Sequence, residues 1–249
     1  MRTLRIATPF AVFSDVHGNL PGLEAILADV DRRKVSATIS LGDLVGYGPS
    51  PNEVALLVRE RGIPSLMGNY DQGIAFETGD CGCVYKTDQQ RAEGAASLAW
   101  TQQAVTEEVK AYLRMLDDRF ELDTPAGTLL AVHGSPRRIN EYLFEDRPEK
   151  AMARMADEFP YPAILFGHTH VPYARPVGET VFVNVGSGGR PKDGDWRVCY
   201  AIVDPTKLGS EGFVEFVRVP YDHERLRLEL AATPLITSFA GPERGGVET

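Results

Sequence analysis

The sequence predicts an α/β fold in which two β-sheets pack together with helices on the outside. Two observations carry this prediction. Strand and helix signals alternate through the first part of the chain, and a strand-rich stretch makes up most of the second half. Such alternation indicates a sheet that is at least partly parallel. A chain of 249 residues with 43% hydrophobic residues is also long enough to bury a substantial core.

The first three predicted strands are short apolar runs at residues 10–13, 37–41 and 63–67. Each run leads into a polar motif that contains Gly, Asp or Asn. Over residues 20–30, apolar side chains recur at helical spacing, and Pro21 stands near the helix start, where proline is favoured. Pro51 opens a second predicted helix that continues to about Glu60.

The chain changes character after the third run. Residues 72–103 mix Gly, Cys, Asp and Gln, and only their second half has helical character. A helical stripe over residues 105–116 follows. Further strands are predicted at 119–123, 128–132, 163–166, 171–174, 181–185, 198–203 and 213–219, and a closing helix at 222–230. We therefore expect a single domain over residues 1–240 and a flexible tail over 241–249.

The composition excludes several classes of partner. The chain has 26 Lys and Arg against 35 Asp and Glu, a formal net charge of −9, which disfavours a broad basic face for duplex nucleic acid. No apolar run approaches the roughly 18 residues of a membrane span, and the first residues do not resemble a signal peptide. Three cysteines are too few for a disulfide framework. A soluble cytoplasmic protein without a membrane partner is expected.

Polar motifs at the ends of the predicted strands offer candidate metal ligands. The seven candidates are Asp15, His17, Asp43, Asn69, His133, His168 and His170. In an extended strand, residues i and i+2 point the same way, so Asp15 and His17 are expected to converge, and His168 and His170 likewise. A single histidine or Gly-Asp pair of this kind is more often structural, but here five such motifs follow one another.

Seven ligands are too many for one four-coordinate ion, but with one shared carboxylate they suit two. Two ions roughly 3.5–4 Å apart can hold the attacking and leaving oxygens during displacement at phosphorus. The oxygen and nitrogen donors, with no thiolate, suit Mn, Fe, Co, Ni or Zn. Manganese is the ion expected to support activity in vitro.

In their order, these motifs resemble those of the calcineurin-like metallophosphoesterases. They read Asp-x-His, Gly-Asp, Gly-Asn-x-Asp, His-Gly and Gly-His-x-His, between Asp15 and His170. Residues 42–49 and 184–187 resemble the small prokaryotic branch, whose members are phosphodiesterases or diadenosine-tetraphosphatase-like. The resemblance implies a four-layer α/β/β/α sandwich of two mixed sheets. It also implies hydrolysis of phosphodiester or nucleotide phosphoanhydride bonds by a metal-bridging hydroxide.

The resemblance further implies a division of the ligands between two ions. One ion would be held by Asp15, His17 and His170, and the other by Asn69, His133 and His168. Asp43 would bridge the two. The substrate would be a small phosphorylated molecule such as a nucleotide, because two divalent cations outweigh the carboxylates and attract phosphate.

One position departs from the family motif. Gly-Asn-His-Asp is usual, whereas this chain has Gly68-Asn69-Tyr70-Asp71. The missing histidine is commonly assigned to protonating the leaving oxygen or stabilising the transition state, and is held by the Asp that follows it. Tyr70 either packs, stacks on a base, or acts in catalysis with Asp71, although a phenol is a slow proton donor. This departure leaves simple alkyl monoesters as doubtful substrates.

Three further features of the sequence have candidate roles near the predicted site. Arg190 follows the last strand of the predicted site and either contacts a substrate phosphate or lies on the surface. Residues 72–103 are predicted to form a cap that selects substrate. Cys81 and Cys83 form a redox or metal pair or are structural.

The alternative function for the whole chain is a non-catalytic or slow nucleotide-binding and interaction module on the same fold.

Overall fold

The computed structural model describes residues 2–235, 239 and 241–242, which form two mixed β-sheets flanked by helices. The strands are β1 (Arg2–Arg5), β2 (Phe10–Phe13), β3 (Thr38–Ser40), β4 (Arg119–Thr124), β5 (Gly127–Val132), β6 (Ala163–Phe166), β7 (Tyr173–Val177), β8 (Thr180–Asn184), β9 (Val198–Val203) and β10 (Val214–Val219). The helices are α1 (Leu20–Arg33), α2 (Pro51–Glu60), α3 (Asn69–Ala75), α4 (Asp88–Ala104), α5 (Glu107–Arg114), α6 (Glu149–Glu158) and α7 (His223–Ala231). A 3-10 turn covers Pro205–Lys207.

The larger sheet has the strand order β1-β4-β5-β6-β8-β7, and the smaller has the order β10-β9-β2-β3. In the larger sheet, β6 runs parallel to β5 and β8, whereas β4 and β7 pair antiparallel with their neighbours β5 and β8. In the smaller sheet, β2 is parallel to β3 and antiparallel to β9. Both sheets are therefore mixed, as the sequence analysis predicted.

Strands with two buried faces explain the layered core. Along β2, Phe10 and Val12 pack between the two sheets, while Ala11 and Phe13 pack under the outer helices. Successive side chains of a strand point to opposite faces, so an uninterrupted apolar run needs cover on both sides. Helix α1 packs on the smaller sheet, α2 and α5 extend the same apolar cluster, and α6 covers the larger sheet. The predicted four-layer α/β/β/α arrangement is confirmed.

The prediction of a strand at residues 63–67 is wrong. This segment makes only two isolated bridges, Ser40 with Ser65 and Leu66 with Asp117. Pro64 has no N–H and cannot donate to a ladder, which leaves the pairing discontinuous. Strand β1 was not predicted, because its polar residues lie at an exposed sheet edge and carry no apolar pattern.

The segment of residues 72–103 is partly helical, as expected. Its first residues complete α3, which begins at Asn69, and its last residues belong to α4. Strand β7 begins at Tyr173, two residues later than predicted. Most of the predicted tail, residues 243–249, lies outside the described residues. Within the described part of the chain, no helix is both long and apolar enough to span a membrane.

The layer between the sheets should dominate stability. Leu129→Ala removes a fully buried side chain from this layer and should lower the free energy of unfolding by about 2–5 kcal/mol. The control Leu228→Ala changes an exposed leucine of α7 and should shift it by no more than about 0.5 kcal/mol. Urea unfolding followed by circular dichroism measures both. Equal effects of the two substitutions would contradict this layered core.

Candidate metal centre

The loops that follow β2, β3, β5 and β6 meet at one edge of the two sheets. Together with Asn69 at the start of α3, they bring together all seven candidate ligands, and every one of these side chains is buried. Strand ends of an α/β sheet commonly form sites in this way, because neighbouring parallel strands end at the same edge. The structure thus concentrates buried acidic, amide and imidazole groups that the sequence spreads over 156 positions, from Asp15 to His170.

The first group comprises Asp15, His17 and His170, whose ligand atoms lie within 4.8 Å of one another. Asp15 Oδ1 is 3.4 Å from His170 Nε2 and 3.8 Å from His17 Nε2. The two Nε2 atoms are themselves 3.2 Å apart. The other oxygen, Asp15 Oδ2, accepts a hydrogen bond from the His168 backbone N–H at 2.8 Å. One carboxylate oxygen is thereby fixed to the backbone while the other faces the two imidazoles.

The second group comprises Asp43, His133 and His168, again with ligand atoms within 4.8 Å of one another. Asn69 adds its Oδ1, which is 3.0 Å from His133 Nε2. The expectation that His168 and His170 converge is wrong, because their imidazoles belong to different groups. His168 reaches the second group and His170 the first.

Asp43 lies between the two groups. Its Oδ1 accepts a hydrogen bond from the Tyr70 backbone N–H at 2.8 Å. Its Oδ2 is 3.6 Å from His17 Nε2 in the first group and 3.4 Å from His133 Nε2 in the second. A single carboxylate oxygen therefore faces ligand atoms of both groups.

Left-handed backbone, and not strand alternation, directs the ligands. Five ligands have positive φ: Asp15 (55°), His17 (49°), Asp43 (55°), His168 (67°) and His170 (64°). Residues other than glycine rarely adopt this conformation, and it clusters at functional sites where the surrounding structure enforces it. Close packing is part of that enforcement. A Cβ at Gly68 would overlap Asp43 Oδ1, and one at Gly167 would overlap Asp15 Oδ2.

The orientation of the imidazoles fits cation binding. Nδ1 of His17, His133 and His170 faces the backbone carbonyl of Val45, Leu41 and Arg190, respectively, and so carries the proton. In the neutral ring, Nε2 then presents a lone pair to the site, the arrangement that metal-binding histidines use. The facing Nε2 atoms of His17 and His170 would repel each other unless a cation lies between them.

Two further atoms point to the same conclusion. Asp15 Oδ1 and His168 Nε2 are buried and have no hydrogen-bond partner among the described residues. Leaving such a group without a partner costs about 1–3 kcal/mol, so buried polar atoms are normally satisfied. Both atoms belong to the two groups, and both would be satisfied as metal ligands. The residues present therefore fit two divalent ions.

Burial and neighbouring charges set the protonation of the groups. Burial lowers the pKa of His17 and His168 to about 3, so both rings are neutral at pH 7. Burial would raise the pKa of Asp15, but His170, His133 and His17 together outweigh it, and the pKa is lowered. For His133, burial lowers the pKa, yet Asp43 prevails and raises it to about 9. A cation in the second group would take the place of that proton.

Tyr70 and Asp71 have different surroundings. The Tyr70 side chain is 1% exposed, and its ring contacts those of His17 and Tyr47 at centroid distances of 5.4 and 4.8 Å. This burial leaves no space for a base to stack on Tyr70. The Asp71 carboxylate accepts hydrogen bonds from the backbone N–H of Leu44, Val45 and Gly68 at 2.9, 3.2 and 3.0 Å. Asp71 therefore clamps the Asp43 loop to the start of α3, and a catalytic part for either residue stays a prediction.

Arg190 lies beside the first group. It is 8% exposed, and its Cζ lies 4.4 Å from the centroid of the Tyr47 ring, in cation–π geometry. Its guanidinium is 3.6 Å from a carboxylate oxygen of Glu93. The sequence analysis did not single out Tyr47, or Tyr142, whose ring centroid is 4.0 Å from that of His168. Neither tyrosine belongs to a ligand motif, so only their place in the fold reveals them.

The cysteine pair contacts the second group. Asn69 Nδ2 donates a hydrogen bond to the Cys81 carbonyl at 2.9 Å and lies 3.3 Å from Cys83 Sγ. These contacts turn the Asn69 amide so that its oxygen faces His133. Both thiols are free, with their sulfurs 2.6 Å apart. The loop of Cys81 and Cys83 thus has at least a positioning role.

Comparisons with known proteins agree with this geometry. Residues 9–207 match the calcineurin-like phosphoesterase superfamily domain. The chain belongs to this family. A metallophosphoesterase structure from Sphaerobacter thermophilus is 31% identical, with 91% of this chain and 94% of that one covered and a TM-score of 0.71. An uncharacterised Methanocaldococcus jannaschii protein is 30% identical over 87% of this chain and 89% of its own length. The Escherichia coli phosphodiesterase YfcE is 25% identical over 77% of this chain and 84% of its own length.

The family membership confirms the resemblance that the sequence motifs indicated. Calcineurin-like phosphoesterases are metal-dependent, and the two His/Asp groups of this chain are the corresponding feature of its structure. The chain is accordingly a metal-dependent phosphoesterase by family.

The role of Asp71 as a clamp can be tested on metal-free protein. Asp71→Asn keeps one acceptor oxygen but turns an amide donor toward backbone N–H groups, so it should lower the free energy of unfolding by about 1–3 kcal/mol. Asp123→Asn, at an exposed position in β4, is the matched control and should shift it by no more than about 0.5 kcal/mol. Urea unfolding gives both values. If Asp71→Asn left the free energy of unfolding unchanged but abolished activity, Asp71 would be assigned to catalysis instead.

Proposed function

We propose that this protein is a dinuclear phosphoesterase that hydrolyses phosphodiester bonds or the phosphoanhydride bonds of nucleotides. The observation that carries the proposal is the position of Asp43 Oδ2, which faces histidine nitrogens of both groups. A carboxylate oxygen in this position suits a ligand shared by two cations. The proposed ligands are Asp15, His17 and His170 for one ion and Asn69, His133 and His168 for the other.

Two divalent ions would supply an activated water and charge stabilisation at the phosphoryl oxygens. The residues of the chain determine where this happens. Asp15 and Asp43 place two negative charges in a buried site, which alone repels a phosphate. Arg190 adds a cation close to the first group and is proposed to contact a substrate phosphate. The phosphodiesterase activity named for the Escherichia coli relative supports the choice of diesters.

The replacement of the motif histidine by Tyr70 supports a preference among leaving groups. Burial raises the pKa of the Tyr70 hydroxyl well above 10, so it transfers a proton poorly. Aryl oxides and nucleotide phosphates leave without a proton, whereas sugar and glycerol alkoxides need one. Activated diesters and phosphoanhydrides are therefore the favoured substrates.

The metal stoichiometry tests the dinuclear proposal. After loading with manganese and removal of excess ion, elemental analysis should find two ions per chain. Asp43→Ala should lose both, because Asp43 is the shared ligand, whereas Asp15→Ala should lose mainly one. Asp123→Ala, at an exposed position in β4, should keep two. A fully active protein with at most one ion per chain would contradict the proposal.

The leaving-group preference is tested with one aryl and one alkyl ester. The wild type should cleave bis(p-nitrophenyl) phosphate with a kcat/KM roughly 10²–10⁴ times that for glycerol phosphate, the usual effect of lacking a general acid. Tyr70→His should recover part of the alkyl activity and change the aryl activity little. Tyr70→Phe is the control for the ring without its hydroxyl. Equal kcat/KM of the wild type for both esters would show that another residue supplies the proton.

The same assays address the alternative of a slow nucleotide-binding module. The buried candidate ligands are all present and brought together, which favours an enzyme. A protein that binds two manganese ions but turns over neither ester would instead support the binding module.

A further inference from the structure

A cavity of about 500 Å³ lies beside the metal centre. Thr169, between the ligands His168 and His170, is part of its wall. Tyr47 and Arg190 also line it, and they lie against the first group, while Tyr142 lies against the second. The cavity is therefore adjacent to both groups, where the parts of a substrate away from the reacting phosphate would lie.

The outer wall of this cavity presents apolar surface to solvent. Among the described residues, five large apolar side chains are exposed, and two of them, Val84 and Phe144, line this cavity. Val84 is 71% exposed and Phe144 is 45% exposed. The Phe144 ring stacks on that of Tyr142 with an interplanar angle of 14° and a centroid distance of 5.5 Å. Tyr142 in turn contacts His168, so the rings lead from the metal centre outward.

This wall is held together across two loops. The Val84 N–H donates a hydrogen bond to the Tyr142 hydroxyl at 3.4 Å, and Asn140 Nδ2 donates one to the Gly82 carbonyl at 3.3 Å. The segment that contains Val84 and the loop that contains Phe144 are therefore joined before any ligand binds. A preformed apolar surface of this kind reduces the entropy lost on binding.

The polar side chains that line the same cavity indicate which kind of aromatic ring it accepts. Thr87, Gln89 and Gln90 line it and can form hydrogen bonds with polar ring edges. The cavity also contains Lys86, Arg190 and Lys192 against the single carboxylate of Glu93, in a chain whose net charge is −9. Flat apolar surface, amide groups and local positive charge together match a nucleotide better than a plain aryl or alkyl ester.

We propose that this cavity binds the base of a nucleotide. The ring subsite consists of Val84, Tyr142 and Phe144, and the base stacks against Phe144 while its phosphate lies at the metal centre. The inference rests on the proposed function and narrows its substrate class to nucleotides. Phe144 is then a specificity-determining residue and takes no part in the chemical step.

The test compares two ligands that differ only by a base. Calorimetric titration of the manganese-loaded protein with AMP and with ribose 5-phosphate gives two dissociation constants. Base–aromatic stacking predicts that the wild type binds AMP about tenfold more tightly. Phe144→Ala should bring this ratio close to one, and Phe144→Tyr should keep it because the ring is retained. The matched control Phe76→Ala changes a 53% exposed phenylalanine outside the cavity and should also keep the ratio.

A second measurement separates the two proposals. Hydrolysis of methyl p-nitrophenyl phosphate, which has no base, tests the wild type as a phosphoesterase. A wild type that hydrolyses this ester but binds AMP and ribose 5-phosphate equally overturns the ring subsite alone. A wild type that prefers AMP in a Phe144-dependent way but hydrolyses neither this ester nor the nucleotide ester thymidine 5′-(p-nitrophenyl phosphate) overturns the proposed function alone. An AMP preference that survives in Phe144→Ala also overturns the ring subsite.

Discussion

The buried carboxylate of Asp43 is the contact on which the rest of the metal centre depends. One of its oxygens is held by the Tyr70 N–H, and the other faces histidines of both groups. Because an isolated buried charge is costly, this geometry makes sense only with positive charge at close range. Asp71 supports it from the opposite side by binding the backbone of the same loop. The centre is thus a network of carboxylates fixed by backbone amides.

The two-sheet fold provides the rigidity that this network requires. Five ligands have left-handed backbone, which costs free energy at each residue and persists only where neighbouring structure enforces it. Strands β2 and β6, which precede four of these five ligands, are buried on both faces, so the loops that leave them have little freedom. Gly68 packs closely against the Asp43 carboxylate and Gly167 against that of Asp15, which further restricts these two side chains. Stability in the sheets offsets strain at the ligands.

The proposed selectivity for nucleotides depends on different segments of the chain from those that carry the metal ligands. The metal-ligand loops follow strand ends, whereas the apolar outer wall of the cavity comes from the irregular segment that contains Val84 and from the loop between β5 and α6. Loops of this kind vary without disturbing the sheets beneath them. In this chain, the proposed ring subsite takes Val84 from the first segment and Tyr142 and Phe144 from the second.

Much of this protein follows from its sequence alone. The alternating strand and helix signals, the fully apolar runs such as residues 10–13 and the ordered Asp, Asn and His motifs determine the α/β class and the seven candidate ligands. These signals are local, so no tertiary information is needed to see them. The segment at residues 63–67 shows the limit, because its apolar pattern predicts a strand, whereas Pro64 lacks the N–H that a ladder needs and the segment makes two isolated bridges. The left-handed backbone of five ligands, the clamp by Asp71 and the cavity wall of Val84 and Phe144 depend on contacts between residues far apart in the chain. Only tertiary packing decides those.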